Sequence, residues 1–201
     1  RSPVAHGLLR SVDAQAALNL PGVHAVITAQ DFGADVPVIP LRLQPLPELV
    51  PFRQPMLAHD KVRYVGEPIA IIVADTAAIA EDALDLIDAD IDALPPITDR
   101  AGAELGDVLL FDEHGSNAAI EWNAVRGDAE AAFASADYTR RETFKVQRHA
   151  ALFMEPRGFV AEWNANEEKL TVWGVAKVAF ANRTILADTM GLSENQIDMV
   201  E

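Results

Sequence analysis

The chain has 201 residues, and 16 Lys+Arg against 31 Asp+Glu give a formal charge of −15 and an isoelectric point near 4.6. Phosphate backbones are held by clustered Lys and Arg, so this balance argues against a nucleic-acid partner. Half the residues are apolar, enough for a real core in one or two domains, and the absence of cysteine removes disulfides, thiolate zinc sites, iron–sulfur ligation and a cysteine nucleophile together.

In chain order, Asp13 is expected to cap a short helix through Leu20, ended by Pro21-Gly22, and Val23 to Thr28 suits a strand. Six prolines between Pro37 and Pro55 deny both ladder donors and helix interiors, so residues 31–58 read as a long extended loop. Lys61–Val65 and Pro68–Ala74 read as strands around Gly66-Glu67, the second apolar enough to be buried on both faces. Thr76 then caps a helix to about Ile87, with Ile79, Ala80, Ala83, Leu84 and Ile87 on one face. Asp88–Leu94 alternates acidic with apolar residues, as an edge strand does, and stops at Pro95-Pro96. Strand, helix, strand makes a βαβ-like or split α+β unit.

Periodicity is lost over residues 99–116, which places a domain boundary there. Beyond it, Ala118–Val125 and Tyr138–Gln147 read as strands around a short helix over Asp128–Ser135. Arg157–Trp163 and Lys169–Val175 form a hairpin about Asn164–Glu168, a helix from Val178 closes on Gly191, and Ile197–Val200 begins another strand. A chain that starts at Arg1 and stops in mid-strand is expected to be a piece of something longer. No apolar run is long enough to span a bilayer, and no signal peptide is visible.

No P-loop, G-x-G-x-x-G, G-x-S-x-G, H-E-x-x-H or EF-hand loop is present. His6, His24, His59, His114 and His149 lack metal-ligand spacing and are assigned structural or surface roles. Asp75 to Asp107 holds ten acidic residues against Arg100 alone, either a docking face for a basic partner or weak cation site, or more simply a solvated face. Glu155, in Met154-Glu155-Pro156-Arg157-Gly158, is either a general acid/base or the ion-pair partner of Arg157. Lys177 follows a strand and precedes a helix, where a side chain can project into a crevice.

Three blocks carry a family resemblance. They are Arg1-Ser2-Pro3-Val4-Ala5-His6-Gly7 with Leu20–Thr28; Asp60-Lys61-Val62-Arg63-Tyr64-Val65-Gly66-Glu67-Pro68 through Ala80–Ala83 to Leu94–Asp99; and Met154–Gly158 with Leu170–Gly174 and the helix carrying Arg183. Together they resemble the large molybdopterin-binding subunit of the xanthine dehydrogenase, aldehyde oxidase and aerobic carbon monoxide dehydrogenase family. The resemblance implies an α+β fold: an α/β hammerhead-like domain over 1–104, lacking its N-terminal strand, and the truncated start of a molybdopterin-binding domain over 117–201.

It further implies a cytoplasmic oxidoreductase that hydroxylates aldehydes or N-heterocycles or oxidises carbon monoxide, with water as oxygen source. Molybdenum would be held by molybdopterin, in the cytosine dinucleotide form. Iron–sulfur clusters and FAD would lie on partner subunits or domains, in an assembled complex that acts on a small-molecule substrate and could itself be a dimer. The family's catalytic glutamate lies much further along than Glu155, so no catalytic residue is assigned and the isolated chain is expected to bind no cofactor and be inactive. Where the family usually has a glutamine near the molybdenum oxo ligand, this sequence has Lys177, which donates but cannot accept. Lys177 is therefore the one cofactor-facing residue expected. The alternative is a non-catalytic docking or assembly module of such a complex.

Overall fold

The computed structural model describes residues 1–41, 46–146, 154, 158–174 and 177–200. The chain divides into two compact units, residues 1–120 and 121–201. Helices and strands are mixed in both, as the α+β reading expects.

The first unit opens on a strand, β1 (Gly7–Asp13), and the helix expected from Asp13 shrinks to α1 (Gln15–Leu18). Strict alternation fails in β1 because its pairing slips between Leu9 and Ser11, leaving both Arg10 and Ser11 exposed. That bulge hid the strand from a period-two reading. Asp13 still contributes, since its carboxylate accepts the Gln15 N–H at 2.9 Å.

β2 (Val23–Thr28) pairs antiparallel with β4 (Ala70–Ala74) in a two-stranded sheet. The strand at Lys61 ends at Val62 as β3, which flanks β1, and β5 (Asp88–Ala93) flanks it on the other side as the expected edge strand. β4 and β5 thus sit in different sheets, so the strand–helix–strand run is a split unit and not a βαβ unit.

Helix α2 (Ala77–Leu84) starts at Thr76, whose hydroxyl accepts the Ile79 N–H, and buries Ala83 completely. Double burial of β4 does not occur: Ile71 and Val73 remain about half exposed. The core lies instead among Leu9, Ala58, Val62 and Ile69, with Val12 and Ile91 packed against it. The proline-rich loop is not wholly extended. A 3₁₀ turn spans Pro47–Phe52, and Val38 and Pro55 form a bridge, with the Met56 N–H donating to the Pro37 carbonyl at 2.8 Å.

Within 99–116, where periodicity is lost, Asp99 caps a short helix α3 (Arg100–Leu105) that ends at Gly106, and a 3₁₀ turn follows over Asp112–His114. All ten acidic residues of the run are exposed, as a solvated face expects, and some of them also bond locally. Asp99 caps α3, Asp92 pairs with Arg10 and Asp75 with His24, while Glu81, Asp82, Asp85, Asp88 and Asp90 face solvent.

In the second unit the strands expected over 118–125 and 138–147 are absent as far as residue 146: the chain there is irregular and exposed, with α4 (Ala129–Ser135) between. Alternating residues do not make a strand without a neighbour to satisfy their backbone groups. The later elements do form as expected. β6 (Phe159–Asn164) and β7 (Lys169–Gly174) make the hairpin, and α5 (Ala179–Met190) closes on Gly191. β8 (Ile197–Val200) returns parallel to β7. Parallel neighbours require a crossover, which α5 supplies, and Leu170, Ala187 and Ile197 form the core beneath it.

Candidate functional site

Two places gather chemistry-bearing groups, one in each unit. In the second unit, β7 delivers the chain to Lys177 at its C-terminal end, immediately before α5. Gly174 ends the strand with φ 142°, and a Cβ there would stand 2.9 Å from the Gly158 carbonyl oxygen, so a side chain would break the β6–β7 pairing at this corner.

Lys177 is exposed, and its backbone carbonyl accepts a bond from the Asn182 side-chain amide at 3.0 Å. Val178, in the left-handed region with φ 66°, is the N-cap of α5 and has no side-chain oxygen to offer the first turn. A cation and uncapped helix N–H groups therefore lie together, a donor-rich corner suited to anionic or oxo groups. Glu155 and Arg157 lie outside the described residues, so the choice between acid/base and ion pair is not resolved there; Met154, beside them, is exposed. Arg183 of α5 pairs with Glu194 at 3.2 Å.

In the first unit, the first two resemblance blocks fold against each other. The Ser2 N–H donates to the Glu67 carbonyl and the Gly66 N–H to the Ser2 carbonyl, both at 2.8 Å, while the Arg1 guanidinium reaches the Gly66 carbonyl. Gly66 makes this turn with φ 89°. Glu67 is fully buried; one carboxyl oxygen accepts the Arg63 N–H, and the other has no partner among the described residues. Burial pushes its carboxyl pKa up, against the opposing pull of the Arg63 N–H and guanidinium.

The same turn grips the segment after α3. Arg63 donates through Nε to the Leu110 carbonyl at 2.9 Å and lies 4.6 Å over the Phe111 ring. The buried Lys61 ammonium meets the Leu109 carbonyl at 3.2 Å and Asp112 at 2.5 Å. That bond, with the charge behind it, holds the Asp112 carboxyl below its ordinary range. Asn117 completes the clamp by accepting the Leu110 N–H and donating to the Ala103 and Val108 carbonyls.

This buried junction was not anticipated from sequence. No local signal marks it, because the pairing of Lys61 with Asp112 joins positions 51 residues apart and the Asn117 amide reaches back to Leu110, Val108 and Ala103. Of the histidines, His6 is buried with Nδ1–H donating to the Pro95 carbonyl at 2.9 Å, the His114 ring lies 4.9 Å from that of Phe52, tilted by 39°, and His24 and His59 lie at the surface beside Asp75 and Asp60. His149 lies outside the described residues. Among the described residues no group of three or more His, Asp or Glu could hold a metal ion, and no helix is long and apolar enough to cross a membrane.

Comparison with known proteins defines the class first. Residues 1–95 match the aldehyde oxidase and xanthine dehydrogenase a/b hammerhead domain, and residues 110–201 match the molybdopterin cofactor-binding domain. The chain belongs to the aldehyde oxidase and xanthine dehydrogenase family, and consists of hammerhead domain followed by the start of a molybdopterin-binding domain.

Among particular relatives, it is 31% identical to the nicotine 6-hydroxylase large subunit of Paenarthrobacter nicotinovorans, covering 100% of this chain and 24% of that one. It is 35% identical to the 6-hydroxypseudooxynicotine dehydrogenase complex subunit gamma of the same organism, over 99% of this chain and 25% of that one. The structure of a Cu,Mo-CO dehydrogenase superposes with a TM-score of 0.82 at 28% identity, over 100% of this chain and 26% of that one. The chain thus spans about a quarter of the length of the relatives it matches.

Proposed function

We propose that this chain forms part of the large subunit of a cytoplasmic molybdenum-dependent oxidoreductase that inserts oxygen from water into aldehydes or N-heterocycles, or oxidises carbon monoxide. The observation that carries this reading is the succession of the two family domains along one chain. Molybdopterin, in the cytosine dinucleotide form, would supply the metal and its two-electron chemistry. Iron–sulfur and FAD subunits or domains would take the electrons onward. The large-subunit and complex-subunit names of its relatives support such partners.

The groups at the end of β7 fit one side of that cofactor. Lys177 and the uncapped start of α5 offer donors to anionic oxygen, with no side-chain oxygen at Val178 to compete. Lys177 would hold a positive charge and up to three N–H bonds beside the group, where the family's usual glutamine presents one acceptor and two donors. The protein's part is orientation and electrostatics, so this exchange should alter substrate range or the ease of metal reduction without removing the site.

The test uses the full-length protein purified with its neighbouring subunits, assayed by substrate-dependent reduction of an artificial electron acceptor. Lys177→Gln should shift kcat or substrate preference by about tenfold, which is about 1.4 kcal/mol of barrier, with the molybdenum content unchanged. An unchanged substrate range, rate and reduction behaviour would remove Lys177 from the site. A loaded protein that reduces no acceptor with any aldehyde, N-heterocycle or carbon monoxide would favour the docking-module alternative.

A further inference from the structure

Arg63 and Glu67 line the same surface cavity, of about 200 Å³, with Pro55, Leu110 and Phe111 among its walls. The guanidinium presently spends Nε on the Leu110 carbonyl and Nη1 on the Lys61 carbonyl, at 2.9 and 3.1 Å. Four residues along the same turn, Glu67 is fully buried and keeps one carboxyl oxygen unpartnered among the described residues. A neutral acid tolerates that position. A carboxylate is held there less well, because a buried charge needs charge-assisted hydrogen bonds, and the Arg63 guanidinium, which lines the same cavity and whose charge already favours the ionised form, can supply them.

We propose that Arg63 is a two-position latch controlled by the proton on Glu67: with Glu67 neutral it holds Leu110 and Phe111, and with Glu67 ionised it turns to the carboxylate and gives up those two contacts, leaving the segment to the Lys61 and Asn117 bonds. The cavity the two side chains share gives the guanidinium room to turn. The latch acts on a stretch near the end of the first unit.

The charges around Glu67 allow the switch without forcing it. On its own turn stand Arg63, which favours the carboxylate, and Asp60, which opposes it. From the N-terminal segment, Arg1 reaches the Gly66 carbonyl. From β3 and the clamp, the Lys61 and Asp112 charges are already paired with each other, and His6 adds its influence at Asp112. Arg1 and Arg63 both spend their hydrogen bonds on neutral carbonyls, and Arg63, whose Nη1 also lies 3.9 Å from Asp60 Oδ1, is the one of the two that lines a cavity with Glu67; bonds to carbonyls lose to a carboxylate.

Amide hydrogen exchange of the full chain tests the latch, corrected for intrinsic exchange rates. Protection over residues 109–116 should fall about tenfold as pH climbs through the raised Glu67 titration, and stay level across the same range in Glu67→Gln, which carries no titrating proton. Arg63→Lys, lacking the planar fork, should leave the segment weakly protected at both ends of the range. In the unaltered chain, the carboxyl ¹³C signal of Glu67 should titrate with the midpoint of the exchange change, a comparison that needs no variant to fold. Level protection in the unaltered chain, an undiminished pH slope in Glu67→Gln, or disagreement between the midpoints would overturn the proposal.

Discussion

Replacing Asp112 with alanine should destabilise the first unit by about 3 kcal/mol, and replacing its partner Lys61 with methionine by no more than about 1 kcal/mol. The asymmetry follows from where the two charges sit. The Lys61 side chain is 5% exposed, whereas that of Asp112 is 69% exposed. Without Asp112 the ammonium is left buried with only the Leu109 carbonyl at 3.2 Å. Without Lys61 the carboxylate, already largely in water, is rehydrated at little cost, and methionine fills the apolar space of the lysine stem.

Urea unfolding of both variants at neutral pH measures the difference, and equal losses would mean that the Lys61 ammonium is not buried as described. The pH dependence is equally specific. The Asp112 carboxyl titrates below its ordinary value when folded, so the pair's contribution is complete above the unfolded pKa. It disappears as pH falls through the lower, folded value. Asp112→Ala should flatten that acid limb. Glu67 acts in the opposite direction: its raised folded pKa leaves stability intact below the unfolded value and erodes it as pH climbs toward the raised one.

The second large effect belongs to Asn117. Its amide makes three bonds, from the Leu110 N–H at 3.0 Å and to the Ala103 and Val108 carbonyls at 3.1 and 2.7 Å. At about 1 kcal/mol each for partly buried groups, Asn117→Ala should cost about 3 kcal/mol. Asn117→Asp should recover only the bond that Oδ1 accepts, because a carboxylate cannot donate to carbonyls. Thermal unfolding of the two variants against the parent chain distinguishes lost hydrogen bonds from lost packing: equal stability for alanine and the parent chain would show that water replaces the amide without penalty.

These two sites mark the limit of what could be read from sequence. Signals carried by neighbours in the chain were legible: the Thr76 cap, the hairpin around Asn164, the Gly191 cap and the placement of Lys177 after β7 all depend on residues within a few positions. β1 was missed because its bulge breaks the alternation that announces a strand. Residues 118–125 alternate convincingly but have no neighbouring strand among the described residues, and partner availability is a property of topology. Ile71 and Val73 looked buried because an apolar run says how hydrophobic a strand is, not how many of its faces are covered. Lys61, Asp112 and Asn117 read as ordinary polar residues until the chain returns on itself. The family blocks Arg1–Gly7 and Asp60–Pro68 were recognisable separately, and folding brings them together: each supplies backbone partners to the other.

The central claim is that these two domains belong to a molybdenum enzyme's large subunit. It is tested most directly by molybdenum and pterin analysis of the full-length protein purified with its neighbouring subunits. About one molybdenum and one pterin per large subunit are expected; a stably folded, stoichiometric complex that contains neither would contradict the assignment.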